Sequence, residues 1–492
     1  MIFIVKLKRK FVTNLILLLF LNLLIKPFWI YGIERSVQNI VGAEHYGFYF
    51  SLFSFSILLN IVLDFGLTNY NNRNIAQNNQ LLSKYLSNII ILKFLLAILY
   101  ALVCFIVALA IGYDALQLKM LIFLILNQFI ISFTLYLRSN LSGLHLFKTD
   151  SFLSVLDRTL MIGICSVLIW GHITSTPFRI EWFVYAQTVA YSLTCLTAFF
   201  IVVSKTEFVK IRFDWVFLLV VMKKSFPYAL LILLMSFYYR TDATMIERLL
   251  SDGKEQAGIY AQAFRNLDAV SMFCLLFAGL LLPIFAKMLK TKQSVEQLIK
   301  FSYILLIVPA IILAIASFIY SYDIMKLMYH MHVEESSKIF RILMLGFISN
   351  ATIYIFSTLL TANGNMKQLN FSAFLGMSIN VILNFILIPH IYHNHQLAGL
   401  GSAIANFVTL TFVAICMVII TQRLFKFRVN YNLILRLILF LAGVIIIGII
   451  TRVYFHNWIE GFLIMVILSF CLAFVIRLFS FIQMFKIIKE NN

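Results

Sequence analysis

Residues 87–111 read SNIIILKFLLAILYALVCFIVALAI, an apolar run with a single charged side chain, Lys93. An α-helix needs about 20 apolar residues to cross roughly 30 Å of hydrocarbon, so this stretch is long enough to span a membrane. Similar runs recur along the 492 residues, of which 62% are apolar and 12% are charged. Charged residues make up about a quarter of an ordinary soluble protein. The composition therefore indicates a membrane protein.

The same length criterion predicts an all-α membrane protein with fourteen transmembrane helices. The predicted spans are residues 11–33, 46–66, 87–111, 119–137, 152–171, 182–203, 219–240, 257–286, 301–320, 340–362, 369–389, 397–421, 432–451 and 461–480. If the N-terminus is cytoplasmic, most of the 39 Lys and Arg residues fall on the cytoplasmic side of this alternation. Positive charge is enriched in cytoplasmic loops, so we predict that both termini are cytoplasmic.

Several function classes are disfavoured by what the sequence lacks. The net charge of +19 comes from short basic clusters between apolar runs, not from one continuous face, so no nucleic-acid partner is expected. The six cysteines are scattered and form no C-x-x-C pair, which indicates neither a disulfide framework nor a zinc site. No loop is long enough for a catalytic domain, and no nucleophile–base set is evident. We expect no enzyme, no cofactor and no metal site.

The chain shows signs of an internal duplication, as many transporters do. Gly47-Phe48-Tyr49 resembles Gly258-Ile259-Tyr260, and Leu146-Phe147-Lys148 resembles Asn365-Met366-Lys367. Both matches are about six predicted spans apart. We therefore predict an N-terminal bundle of spans 1–6 (residues 1–210), a C-terminal bundle of spans 7–12 (211–428), and two appended spans with a cytoplasmic tail (429–492).

Three tracts carry a resemblance to a known family. They are Leu63-Asp64-Phe65-Gly66-Leu67 followed by Arg73-Asn74-Ile75-Ala76; Arg240-Thr241-Asp242 followed by Gly258-Ile259-Tyr260, Ala263 and Arg265; and Asn363-Gly364, Lys367, Asn380, Asn384, Pro389 and Gly399-Leu400-Gly401-Ser402-Ala403. Together they resemble the Wzx-type oligosaccharide flippases of the multidrug/oligosaccharidyl-lipid/polysaccharide (MOP) exporter superfamily. That superfamily also contains MATE drug exporters and lipid II flippases.

The resemblance implies a V-shaped, MATE-like pair of six-helix bundles in a bacterial inner membrane. It also implies a function: flipping undecaprenyl-diphosphate-linked repeat units of O-antigen, capsule or exopolysaccharide from the cytoplasmic to the periplasmic leaflet by alternating access. A diphosphate and its sugars cannot cross hydrocarbon unless the protein supplies charge and hydrogen-bond partners. Membrane lipids, H⁺ or Na⁺ and the polysaccharide polymerase machinery are further expected partners.

Ionisable side chains inside the spans are the first candidates for a transport site, because burying charge in lipid is costly. Lys26 lies in span 1 immediately before Pro27, which removes a helix hydrogen bond and is expected to kink the span. A broken helix that carries a charge is typical of transport sites. The alternative is that Lys26 extends towards the outer headgroups.

Three further groups of charges complete the predicted substrate contacts. Arg265 and Asp268 lie three residues apart in span 8, and can meet on one face of the helix. Arg240, Arg158 and Arg265 are predicted, with Lys26, to contact the diphosphate or an acidic sugar. The ion-pair or coupling carboxylates are predicted to be Asp268, Asp242 and Asp157. For each pair a purely structural role is the alternative.

The remaining polar positions are predicted to have structural roles. Asp64, Gly66 and Arg73 lie at the cytoplasmic end of span 2, where helix capping and gating are favoured over substrate contact. Asn380 and Asn384 share one face of span 11 and can bind sugar hydroxyls or neighbouring helices; the second is favoured. Two other charges, Lys93 and Arg138, are expected to snorkel to the cytoplasmic headgroups.

Two rival functions share the predicted fold, and a third does not. A MATE-like ion-coupled exporter of small cations would favour carboxylates over Lys and Arg in its spans, which is the reverse of this sequence. A lipid II flippase would bind the same diphosphate chemistry and stays open. A membrane glycosyltransferase or polymerase would require a catalytic loop.

Overall fold

The computed structural model describes residues 20–68, 71, 75, 82–144, 146–171, 176–206, 215–427 and 430–478. Within these ranges the chain is built from helices, which we number α1 to α15. They are α1, residues 20–28; α2, Arg35–Leu58; α3, Leu82–Ala110; α4, Ala115–Gly143; α5, Phe147–Trp170; α6, Ile180–Val203; α7, Trp215–Leu249; α8, Gly253–Lys290; α9, Glu296–Ile319; α10, Ser321–Met328; α11, Val333–Ala362; α12, Met366–His395; α13, Ala398–Phe425; α14, Tyr431–Tyr454; and α15, Trp458–Val475.

The first helical stretch is irregular at the positions where its sequence disfavours an α-helix. Pro27 has no amide hydrogen to donate, and a π-helical turn, Trp29–Glu34, follows directly between α1 and α2. Such turns occur mostly as local bulges and often at functional sites. Gly42 then breaks α2 with φ 79° and ψ 171°, a conformation that a residue without Cβ adopts at little cost. The predicted loop at 34–45 is therefore helical except at Gly42.

The chain divides into two compact units, Met1–Ala261 and Gln262–Asn492, with the boundary inside α8. In the first unit α4 packs against α6, and α2 packs against α4 and α7. Ile89, Phe133 and Tyr136 belong to its apolar core. In the second unit α13 packs against α11 and α12, and the α14–α15 hairpin packs against α9.

Twelve helices in the described part of the chain are long and apolar enough to cross a membrane. This confirms a multi-span, all-helical membrane protein. Of the two remaining predicted spans, 11–33 begins outside the described residues, and 46–66 covers the second half of α2 and the 3₁₀ turn Asn60–Leu63. The total of fourteen and the location of the termini therefore stay predictions. The bundle boundaries at 210 and 428 also stay predictions, since they rest on the internal repeat.

Candidate functional site

A cationic cluster in the first unit is centred on Arg158 of α5. Its guanidinium lies 5.5 Å from the ring centroid of Trp29 and 5.6 Å from that of Tyr191. One amino group donates to the Tyr191 hydroxyl at 3.1 Å, whereas Nε is 3.8 Å from the carboxylate of Asp157. Aromatic faces stabilise a cation without neutralising it. Arg158 thus has an aromatic cage, only a long contact to Asp157, and a side chain that is 27% exposed.

Lys26 belongs to the same cluster. Its ammonium is near enough to Arg158, Asp157 and Arg138 for their charges to interact. Asp157 and Arg138 also line a crevice of about 50 Å³ between α4, α5 and α6, together with Ser154. The structure therefore brings together three residues that the sequence proposed separately: Lys26, Asp157 and Arg158.

Helix geometry explains how this cluster is positioned. The π-helical turn directly after Pro27 begins at Trp29, whose ring stacks on Phe183 of α6 at 5.6 Å. Trp29 in turn provides one face of the cage around Arg158. The Trp29 ring therefore connects the irregular backbone of the first helical stretch to the guanidinium of Arg158.

A buried carboxylate, Glu34, completes the electrostatics of this region. It is 3% exposed and accepts a hydrogen bond of 2.6 Å from the Tyr46 hydroxyl. Its charge interacts with that of Arg158. Sequence reasoning placed Glu34 in an external loop, because the helical continuation up to Gly42 cannot be read from hydropathy.

Asp64 lies in the second polar group of the first unit, an ion pair with Lys93. The Lys93 ammonium is 2.5 Å from Asp64 Oδ1 and donates to the Leu63 carbonyl at 2.9 Å and to Ser132 Oγ at 3.0 Å. The Lys93 side chain is 0% exposed. The expectation that Lys93 snorkels to the headgroups is wrong, because a carboxylate and two oxygens bind its ammonium inside the bundle.

The tight turn at Asp64 explains why Asp64 and Gly66 occur together in the sequence. Asp64 accepts a hydrogen bond from the backbone amide of Thr68 at 3.3 Å, as a helix-capping residue does. Gly66 adopts φ 79° and Phe65 φ 43°, so the chain turns tightly between the 3₁₀ turn Asn60–Leu63 and the helical residues that follow. Arg73 lies outside the described residues.

The predicted pairs of spans 7 and 8 differ from each other. Asp242 is 1% exposed and accepts a hydrogen bond of 2.7 Å from the Tyr260 hydroxyl, within the first unit, where Arg240 also lies. Arg265 and Asp268 belong to the second unit and form the predicted contact at 3.2 Å. The Arg265 side chain is 10% exposed. The substrate roles of all four residues stay predictions.

Asn380 and Asn384 of α12 are fully buried in the second unit. The Asn384 amide donates to the Asn380 carbonyl at 3.0 Å, and its Oδ1 accepts from Ser402 Oγ of α13 at 2.7 Å. The backbones of α12 and α13 are close together here, since a Cβ at Gly401 would lie 2.7 Å from the Leu387 carbonyl oxygen. These contacts join α12 to α13; a sugar-binding role for the two amides stays a prediction.

The aromatic partners of these charges were harder to predict from the sequence than the charges themselves. Trp29, Tyr191 and Tyr46 were not singled out, because aromatic residues make up 15% of the chain and only helix rotation shows which ones face a charge. Of the three, only Trp29 could have been predicted from the sequence, because it lies three residues after Lys26 and therefore on the same face of an α-helix.

Comparisons with known proteins agree with this architecture. The lipid II flippase MurJ in an inward closed conformation matches with a TM-score of 0.66 at 15% identity, covering 96% of this chain and 98% of that one. An inward-facing multidrug resistance MATE family transporter of the MOP superfamily matches with a TM-score of 0.60 at 16% identity, covering 81% and 94%. A MOP superfamily transporter from Pyrococcus furiosus matches with a TM-score of 0.56 at 16% identity, covering 86% and 96%. At these identities the likeness establishes a shared fold.

No protein among the curated sequences compared with this chain matches it. The family described as polysaccharide biosynthesis protein matches residues 12–289, which is more than half of the chain. This range contains the cluster at Lys26 and Arg158, the Lys93–Asp64 pair and the motif at Gly258. The resemblance proposed from the motifs is confirmed, and the chain belongs to the polysaccharide biosynthesis protein family of MOP-type transporters.

Proposed function

We propose that this protein flips undecaprenyl-diphosphate-linked oligosaccharide repeat units across the bacterial inner membrane. The observation that carries the proposal is the caged cation Arg158, with Lys26 beside it, among the membrane helices of a polysaccharide biosynthesis family member. A diphosphate needs cationic partners to enter a low-dielectric interior. Arginine is well suited to this task, since its planar guanidinium matches phosphate oxygens in pairs.

The surroundings of Arg158 favour an anionic ligand over a small cation. A guanidinium fully paired with a carboxylate would be neutralised, but here Asp157 is 3.8 Å away and the nearer partner is a phenol. A phosphate oxygen could therefore bind without first breaking a short ion pair. Arg240 and Arg265 are proposed as further contacts along the path, with Asp242 and Asp268 as partners or coupling groups.

Transport follows as alternating access, with the polyprenyl tail in lipid and the headgroup inside the protein. The buried carboxylates Glu34 and Asp242, and the partly exposed Asp157, would let a H⁺ or Na⁺ gradient drive the cycle. Family membership and the transporter folds of its structural relatives support transport rather than catalysis. Both termini are proposed to be cytoplasmic, and the polysaccharide polymerase to receive the product.

A lipid II flippase is the second candidate, because the structural match to MurJ covers nearly the whole of both chains. The two functions use the same diphosphate chemistry and differ in the glycan. A deletion strain separates them. Loss of surface polysaccharide, with lipid-linked intermediates trapped in the inner leaflet and growth intact, supports the repeat-unit flippase. Lysis with accumulated lipid II supports the second candidate, and unchanged glycan and growth would contradict both.

Complementation of the deletion strain tests the site. Arg158→Gln should leave membrane levels of the protein unchanged and reduce surface polysaccharide at least tenfold, since a charge-assisted hydrogen bond is worth about 1.5–3 kcal/mol. Arg436→Gln is the matched control. Arg436 is also an arginine within a membrane helix, but it bonds to Asn432 and to the Arg477 carbonyl in the α14–α15 hairpin. Full polysaccharide with Arg158→Gln would remove this residue from the site.

A further inference from the structure

A crevice of about 60 Å³ lies between the N-terminal ends of α4 and α6, within the first unit. It is lined by Leu116, Lys119, Met120, Phe123, Glu181 and Tyr185. One water molecule requires roughly 10–15 Å³, so the crevice has room for several waters or for a small polar group. It is separate from the crevice beside Arg158, which is lined by residues further along both helices.

The crevice contains one cation and one anion that do not pair with each other. Lys119 of α4 is exposed and Glu181 of α6 is partly exposed. Neither side chain forms an ion pair or a hydrogen bond with another residue in the described part of the chain. Two opposite charges that line one crevice without contact leave space for a ligand that carries both charges.

Aromatic rings form one wall of the crevice. The ring centroids of Phe123 and Tyr185 lie 4.9 Å apart, at an interplanar angle of 60°. Tyr185 follows Glu181 by four residues, so both lie on the same side of α6. An ammonium group at this wall would have the carboxylate as its counter-charge and an aromatic ring as a second partner. The α6 side therefore suits a ligand ammonium, and the α4 side suits an anion that contacts Lys119.

The aromatic residues of α6 indicate the depth of the crevice in the membrane. Trp182 adjoins Glu181 and packs edge-on against Phe178, with ring centroids 6.0 Å apart. Tryptophan and tyrosine are enriched where lipid headgroups meet hydrocarbon. Trp182 and Tyr185 therefore favour a position at headgroup level, on the side predicted to be external.

Towards the middle of both helices, exposed apolar side chains follow the crevice. Leu126 of α4 comes three residues after Phe123 and is 41% exposed. Val189 of α6 comes four residues after Tyr185 and is 49% exposed. Aliphatic side chains match acyl chains in polarity. A ligand with its charged head in the crevice and hydrocarbon chains along α4 and α6 would therefore find partners for both parts.

We propose that this crevice binds a phospholipid whose headgroup carries a phosphodiester and a primary ammonium. Lys119 contacts the phosphate, Glu181 accepts from the ammonium beside the Tyr185 ring, and the acyl chains lie along α4 and α6. A headgroup without an ammonium leaves Glu181 without a partner, and a quaternary ammonium has no N–H to donate. The site therefore selects phosphatidylethanolamine over phosphatidylglycerol and phosphatidylcholine. This inference goes beyond the proposed function and does not depend on which glycan is transported.

Competition between lipids tests the headgroup. Purified, delipidated protein in detergent is titrated with phosphatidylethanolamine, phosphatidylglycerol or phosphatidylcholine of identical acyl chains, and the first bound lipid is measured by native mass spectrometry. We expect wild type to bind phosphatidylethanolamine about tenfold more tightly than either of the others, because only this headgroup gives Glu181 a charge-assisted hydrogen bond. Equal affinities, or a preference for phosphatidylglycerol, would overturn the proposal.

Variants locate the preference at the crevice. Glu181→Gln should abolish the preference for phosphatidylethanolamine, whereas Lys119→Gln should weaken binding of all three phosphodiesters. Lys338→Gln and Glu334→Gln are the matched controls, because those two residues pair with each other at 2.8 Å on α11. Without added lipid, both crevice variants should unfold at the wild-type temperature, since neither side chain has a described partner to lose. Lipid affinities unchanged in both crevice variants would overturn the site.

A headgroup without acyl chains distinguishes a lipid from a soluble ligand. Glycerophosphoethanolamine carries the same phosphodiester and ammonium but cannot contact Leu126 or Val189. We expect it to displace bound phosphatidylethanolamine only at concentrations at least about a hundredfold above that of the lipid, since each buried methylene of an acyl chain adds about 0.8 kcal/mol. Displacement at equal concentrations would identify a soluble ligand and overturn the phospholipid assignment.

Discussion

Two regions of the molecule place polar groups inside the membrane helices in different ways. In the clusters around Lys93 and Arg158 of the first unit the groups are charged: Lys93 binds Asp64, and Arg158 lies beside Asp157 and near the rings of Trp29 and Tyr191. In the second unit the packing of α12 on α13 is stabilised by neutral groups, Asn380, Asn384 and Ser402. An amide that loses one partner still has others, whereas a buried ammonium that loses its carboxylate has an uncompensated charge.

This difference separates charges that support the fold from charges available to a ligand. Lys93 is fully buried and has a carboxylate, a hydroxyl and a carbonyl as partners. Arg158 is partly exposed and its close partners are a phenol and aromatic faces. Both are basic residues within one unit of the same chain. The proposed role of Arg158 as a contact for a substrate anion therefore rests on its exposure and on the identity of its nearest oxygen, rather than on its charge alone.

Removing the Asp64 charge should have the largest effect on stability. Asp64→Asn leaves the Lys93 ammonium buried without a counter-charge, which is expected to cost about 3–5 kcal/mol. The double variant with Lys93→Met should recover at least half of this loss, because no charge is then stranded. Thermal unfolding of the purified protein in detergent measures both. Equal destabilisation of single and double variants would contradict the ionic account.

Replacing the guanidinium of Arg158 tests a charge that is proposed to bind a ligand rather than to support the fold. Arg158→Lys keeps the positive charge but loses the planar contact with Trp29 and Tyr191, and should retain only about a tenth of wild-type surface polysaccharide. The unfolding temperature should change little, because Arg158 has no short ion pair to lose. A large fall in unfolding temperature would assign Arg158 to the fold, together with Lys93.

Loss of one hydrogen bond from the neutral network should destabilise the protein less than loss of the Asp64 charge. Ser402→Ala removes the donor to Asn384 Oδ1 and should cost about 1 kcal/mol, as hydrogen bonds between membrane helices do. Ser378→Ala of α12 is the control, since Ser378 is partly exposed and its hydroxyl donates to the Phe374 carbonyl of its own helix. A loss comparable to that of Asp64→Asn would show that the amide network is as demanding as the ion pair.

The smallest effect is expected where an ion pair is exposed. Arg452 contacts Asp323 at 2.6 Å, but its side chain is 44% exposed, so water and salt screen the attraction. Arg452→Gln should change the free energy of unfolding by less than about 1 kcal/mol. Unfolding of wild type and variant at low and high ionic strength measures this, and a larger difference that persists in salt would contradict screening.

Hydropathy predicted the membrane class and most of the helices, because span length is set by bilayer thickness. It did not predict the helical continuation between Glu34 and Gly42, since that stretch is polar enough to resemble a loop. Nor did it predict the burial of Lys93, because the depth of a charge depends on which helices surround it. Arg158 and Lys26 were found from their position inside spans, but the cage of Trp29 and Tyr191 required the rotation of three helices.

The family motifs carried information that periodicity could not. The Gly-x-Tyr repeat at Gly47 and Gly258 was found as a sequence duplication, and the structure shows why both glycines are needed where the two copies meet. Asp64 and Gly66 likewise belong to one motif because the first caps the turn that the second permits. Side-chain partners such as Ser132 for Lys93 have no sequence signal, since they come from elements distant along the chain.

Flipping by the purified protein tests most directly whether Lys26 and Arg158 receive the diphosphate of a lipid-linked glycan. Wild-type protein, Lys26→Gln/Arg158→Gln and Arg436→Gln are reconstituted with a fluorescent undecaprenyl-diphosphate oligosaccharide, and transfer between leaflets is followed by quenching from outside. We expect transfer by wild type and by Arg436→Gln. Transfer by the double variant should be slower by about a hundredfold, as expected for two lost charge-assisted contacts. Equal rates for all three proteins would contradict this role of Lys26 and Arg158.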